Sequence, residues 1–245
     1  MATILDRYGV KEVMDGTFYQ ITEDGNIGAP VLYLDSLKVS TVEQTAENTS
    51  ARGGKGNVEL VSWDFNKEIT VTLEDALFSA KSLAIMYGSV NTDGEAVIDN
   101  AETIYRTFRV DQIEDGKVQL RGGKEFTLPT EEGKVKYYTA AGVASTQGAS
   151  DAAYVTVVVD GKTIQEIDIS PDTFPGNYAF IGDTYIRSEI TGRDEAFQVI
   201  LPKVKMQSEV TLTLEADGDP TTFNMNLKVL RPAKGPMMKL VKYDL

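Results

Sequence analysis

The heptapeptide EITVTLE, Glu68–Glu74, alternates apolar and polar residues without a break, and EVTLTLE repeats the pattern at Glu209–Glu215. A strand turns successive side chains to opposite faces. Ile69, Val71 and Leu73 therefore share one face and Thr70 and Thr72 the other. In the second copy Val210, Leu212 and Leu214 oppose Thr211 and Thr213. Strands of this kind belong to antiparallel sheets with one face packed and one face wet. The chain is expected to be mainly β.

Further strands are expected at Val31–Leu34, Leu37–Thr45, Val58–Trp63, Ile104–Ile113, Val118–Leu120 and Lys134–Tyr138. Ala153–Val159, Thr163–Ile169, Phe197–Leu201, Thr222–Leu230 and Met237–Tyr243 complete the set. Asp160-Gly161 and Asp115-Gly116 read as hairpin turns, because a two-residue type I′ turn needs positive φ. A single helix is expected in AKSLAIMY, capped by Ser79 and stopped at Gly88. Leu83 with Met86 or Tyr87 would then face the sheet. Thr45–Asn57, with three glycines, two cations and no apolar periodicity, reads as a long mobile loop. Gly88–Asn100 and Ser170–Asn177 read as the other loops. No linker composition divides the 245 residues, so one β-rich domain is expected, with residues 91–169 as an elaboration on it.

Charge and composition narrow the function. The net charge is −13, from 24 basic and 37 acidic residues, and such a surface repels nucleic acid and anionic membrane at long range. No apolar run approaches the ~20 residues of a membrane span, and no targeting segment is evident, so a soluble chain is expected. With neither cysteine nor histidine, thiolate nucleophiles, disulfides, His-based triads and the usual zinc sites are excluded. Carboxylate chemistry survives, but no spacing points to it; the expectation is a non-enzymatic protein without cofactor or metal. RGGKGN, Arg52–Asn57, lacks the P-loop spacing. EADGDPTTF, Glu215–Phe223, lacks the EF-hand pattern and reads as a hairpin turn at Gly218, Asp219 and Pro220. Trp63, the only tryptophan, follows the alternation of VELVSWDF and reads as a core anchor.

Two ordered runs resemble a known family. WDFNKEITVTLEDALFSAKSL (Trp63–Leu83) and FQVILPKVKMQSEVTLTLEADGDPTTFNMNLKVL (Phe197–Leu230) are similar to bacteriophage tail tube proteins, and Asp172–Phe197 has the look of such virion proteins. The resemblance implies an antiparallel β-sandwich or half-barrel with one flanking helix. It also implies a self-assembling subunit of the virion tail, made in the host bacterial cytoplasm. Hexameric rings would stack into a tube, bound to other tail proteins and to no membrane, through which genomic DNA passes without specific binding.

On that basis the wet strand faces are expected to line the channel. Those residues are Glu68, Thr70, Thr72, Glu74, Glu209, Thr211, Thr213 and Glu215. The loop bearing Arg52, Gly53, Gly54 and Lys55 is expected to order against the next ring. The rival readings are another virion β-protein, such as a head decoration or tail completion ring, and a carbohydrate-binding β-protein. The second needs clustered exposed aromatics. Among the eleven tyrosines, Tyr137-Tyr138 is the nearest approach, and alternation sets that pair on opposite faces.

Overall fold

A computed structural model describes residues 7–92, 94–120, 122–212 and 222–243. It is an antiparallel β-fold of sandwich type with one α-helix among the described residues. The chain forms two compact units, residues 1–98 with 167–245, and residues 99–166.

In the first unit the strands are β1 (Tyr8–Val10), β2 (Asp15–Ile21), β3 (Ile27–Leu34), β4 (Leu37–Gly53) and β5 (Val58–Asp75). Helix α1 (Ala80–Tyr87) follows. The second unit holds β6 (Asp99–Arg109), β7 (Ile113–Glu114), β8 (Lys117–Gln119), β9 (Glu125–Thr127), β10 (Val135–Tyr138) and β11 (Tyr154–Glu166). The chain then returns to the first unit with β12 (Asn177–Ser188), β13 (Asp194–Met206), β14 (Phe223–Val229) and β15 (Lys239–Tyr243).

Among its described residues the first unit forms a nine-stranded sheet in the order β3-β2-β12-β13-β14-β5-β4, with β1 added to β12 and β15 to β13. The two long middle strands thus carry two shorter partners each along one edge. Its core gathers Phe18, Tyr178, Phe180, Val71, Leu73, Ile85, Met86, Leu201 and Leu227. Phe18 meets the Phe180 ring edge-on at 5.0 Å between centroids, the geometry that ring quadrupoles favour. Burial pushes the Tyr178 phenol up to about 12, and its hydroxyl donates to the Gly94 carbonyl at 3.0 Å, tying the loop after α1 to the sheet. A corner forms where β5 ends. Buried Asp75 accepts from the Ser36 hydroxyl at 2.5 Å and from the Leu77 N–H at 3.2 Å, joining the β3–β4 link to the lead into α1.

The second unit has two three-stranded sheets, β10-β11-β6 and β7-β8-β9, around Phe108, Val118, Val155 and Val157. Asp115 and Gly116 both take positive φ between β7 and β8, as the expected hairpin turn requires.

Helix α1 has the expected ends. Ser79 accepts from the Ser82 N–H at 3.0 Å while the Ser82 hydroxyl accepts from the Ser79 N–H at 2.9 Å, and Gly88 closes the helix at φ 81°. Its fully buried face differs from the expected one: Ser82, Ala84, Ile85 and Met86 are buried, while Leu83 and Tyr87 are half-buried.

Four other expectations are corrected. Thr45–Asn57 is no long loop: β4 runs to Gly53 and only Gly54–Asn57 turn. The two strands expected on either side of Asp160-Gly161 are one strand, β11, and the dipeptide lies in a register shift against β6 between Asp160 and Ile164. There the extra residues bulge rather than reverse the chain. The strand expected to stop at Leu201 continues through Pro202, because a bulge opposite Tyr178–Phe180 absorbs the residue that cannot donate to the ladder. Glu209–Leu212 form no strand; Thr213 to Thr221, and with them the rest of the second repeat and the Gly218–Pro220 turn, lie outside the described residues.

Gly88 offers a test of the packing. A Cβ there would lie 2.6 Å from the Phe174 carbonyl carbon, whereas one at Gly25, also at positive φ, would meet nothing. Gly25→Ala should cost on the order of 1 kcal/mol for the left-handed backbone alone. Gly88→Ala should cost clearly more, read as a larger drop in the urea midpoint.

Candidate assembly surface

The β4–β5 hairpin dominates the surface of the first unit. At ~3.3 Å per residue, strands of 17 and 18 residues span roughly 50–60 Å. Only the end nearest the corner is packed. There Ile69, Val71, Leu73 and Asp75 are buried, and Thr70, Thr72 and Glu74 lie half-buried on the reverse face. From Thr41 to Glu68 every residue is exposed except Ser50 and Gly53, which are half-buried. The distal hairpin is an arm with both faces uncovered.

A bulge divides the arm. Thr45 stands opposite Glu68, but Glu47 stands opposite Phe65, so β5 spends three steps where β4 spends two. Asn66, at φ 50°, takes the extra step and donates from its amide to Glu47 at 3.3 Å. Alternation on β4 is unbroken through this stretch. Hence Phe65, Trp63 and Val61, opposite Glu47, Thr49 and Ala51, lie on the face of Glu68, Thr70 and Thr72, not on the core face. The expected core anchor Trp63 is 55% exposed for this reason. The opposite distal face is polar, with Asn48, Ser50, Ser62 and Asp64, and Arg52 set against Glu59 at 3.4 Å.

The wet face near the corner extends across three strands. Asn224, Asn226 and Lys228 of β14 stand opposite Glu74, Thr72 and Thr70, and Thr41, Glu43 and Thr45 of β4 continue the rows. Thr72 donates to the Asn226 amide oxygen at 3.2 Å. Lys228 reaches diagonally to Glu68 at 2.8 Å and away from Lys205, its direct neighbour on β13. The face is therefore mixed in charge. Lys228 and both asparagines were legible in FNMNLKV, whose buried positions alternate with them.

Of the residues singled out from sequence, Glu68, Thr70, Thr72 and Glu74 come together on this face. Glu209 and Thr211 sit in the segment after β13, outside any strand, and Thr213 and Glu215 are outside the described residues. Arg52 and Gly53 belong to β4, while Gly54 and Lys55 form the turn.

A family model, the YomU/Tube protein family, matches residues 8–240, nearly the whole chain. The chain belongs to the YomU/Tube protein family. Membership makes it a phage tube-type structural protein, a virion tail component that assembles with other tail subunits. A search of curated proteins found no match. This YomU/Tube protein thus presents an exposed arm and an open polar face.

An arm held by its ladder and a few exposed side-chain contacts should open easily in the isolated subunit. Hydrogen exchange followed by mass spectrometry should show the amides of residues 47–65 exchanging much faster than those of Val71 and Leu73. Equal protection would mean that the arm is covered before any partner arrives.

Proposed function

We propose that this YomU/Tube protein is the subunit of a phage tail tube: copies close into rings, hexameric in the simplest case, and the rings stack into a channel for the genome. The observation that carries the reading is the β4–β5 arm, a long paired hairpin whose outer residues are nearly all exposed. A two-stranded hairpin is marginal in water, so such a length makes sense only if it is covered on assembly. Repeated copies related by a closing rotation supply that cover and remove the free edge of β4. In this reading the turn bearing Arg52, Gly53, Gly54 and Lys55 contacts the next ring, and the second unit is an elaboration on the tube-forming sheet.

The wet face of β14, β5 and β4 is proposed as the channel lining, led by Thr70, Thr72 and Glu74. Glu68 contributes less charge, being paired with Lys228. Repetition around a ring multiplies each unpaired carboxylate, and a confined channel focuses their field. DNA phosphates would pass without a strong site to hold them. Glu209, Thr211, Thr213 and Glu215 join the lining only if the segment after β13 forms strand in the assembled tube.

Purified protein should form rings or hollow tubes by negative-stain microscopy. Rings that never stack would point instead to a tail completion ring, and a persistent monomer would remove the tube reading. Glu74→Lys tests the lining separately. It leaves Leu73 and the core face untouched, so tails should assemble while genome ejection slows. An unchanged ejection rate from intact tails would place this face outside the channel.

A further inference from the structure

The bulge at Asn66 gives the arm a property that a straight hairpin would lack. Near the corner its polar residues lie on one face; beyond the bulge that same face becomes apolar, with Val61, Trp63 and Phe65 at 49%, 55% and 44% exposure. The reverse face makes the opposite change, from buried Ile69, Val71 and Leu73 to Asn48, Ser50, Ser62 and Asp64. Without the extra residue, Trp63 would stand on the core side of the hairpin.

We propose that the Val61–Trp63–Phe65 face is the surface by which the arm docks onto a second copy of this chain, and that the bulge exists to turn it there. The inference rests on the tube reading and adds which side of the arm is covered. Half-exposed tryptophan and phenylalanine side chains, each able to bury ~150–250 Å², are costly to leave in water and are the usual anchors of an interface. Their cross-strand partners Glu47, Thr49 and Ala51 include only one charge, whereas the reverse face bears Asp64, Glu59 and Arg52. A second copy is the occupant because, among the described residues, the arm is open at both edges as well as on this face. β4 ends the sheet, and β5 pairs with β14 only from Thr70 to Asp75. A repeating subunit can fill all three openings at once, pairing backbone along an edge while covering the aromatic row.

The chain carries its own reporter, since Trp63 is its only tryptophan. Its emission and its quenching by iodide are compared in unassembled subunits and in purified tubes of the full chain. The expected result is a shift to shorter wavelength and a several-fold loss of quenching in tubes. Phe65→Glu, on the same face, should give folded subunits by circular dichroism that do not assemble and keep the unshifted emission. Asp64→Lys, on the reverse face, should assemble as the unaltered chain does. Tubes whose Trp63 remains as quenchable as in free subunits would overturn the proposal and leave the tube reading standing. Normal tubes from Phe65→Glu, or an equal block from Asp64→Lys, would overturn it likewise. Protection of Trp63 only when other tail proteins are added would assign the face to one of them and not to a second copy. Failure of the unaltered chain to form any tube would remove the tube reading itself and this inference with it.

Discussion

Backbone pairing runs along the whole β4–β5 hairpin, but apolar burial stops at Ile69, and this mismatch organises the molecule. Burying a side chain the size of Val, Leu or Ile is worth about 1.5–3 kcal/mol, so Ile69, Val71 and Leu73 anchor β5 firmly to the core. Among the described residues nothing comparable holds Val58 to Phe65. There the ladder must resist the conformational entropy of its residues almost alone. The corner at Asp75 matters because it is where the two regimes meet. One carboxylate fixes the β3–β4 link, the end of β5 and the lead into α1, so the arm projects from a rigid base.

Bulges explain most of what alternation could not convey. The regular stretches were legible: β5 near the corner, β14, the capped helix and the Asp115-Gly116 turn all follow local rules that a sequence displays directly. β12 was missed because Tyr178, Ala179 and Phe180 are buried in succession in the middle of the sheet. A strand covered on both faces shows no alternation to read. Pro202 and Asp160-Gly161 misled in a different way. Each is a strong local signal for stopping or reversing a strand, and in each case a register shift lets the ladder continue past it. Tertiary pairing decides such cases, and one sequence does not contain it.

Electrostatics required the register as well. From alternation the wet strand faces were expected to carry threonine and glutamate with no cation, in keeping with a net charge of −13. Pairing with β14 brings Lys228 against Glu68 and lays a row of asparagines beside the threonines. An exposed pair of this kind contributes at most about 1 kcal/mol to stability, so its chief effect is on the field that the face projects. As the proposed lining, these hydroxyls, amides and partly neutralised carboxylates would present many weak contacts to a passing polyanion, with Lys205 of β13 as an exposed cation at their border. Such balance suits transit as well as simple repulsion does.

Trp63 shows how one residue of register changes a functional reading. Val61, Trp63, Phe65, Ile69, Val71 and Leu73 are all odd-numbered and all apolar. Strict period-two counting sets them in one row, broken only by Lys67, and assigns the whole row to the core. A single residue in left-handed conformation splits it, so that its distal half faces away from the core that its proximal half builds. Asparagine is one of the few non-glycine residues that takes positive φ readily. Asn66, and Lys67 beside it in the otherwise apolar row, were therefore the visible hints. What alternation reads as core becomes, after the bulge, an apolar row that is about half exposed. The same six side chains thus serve folding on one side of Asn66 and stand free for association on the other.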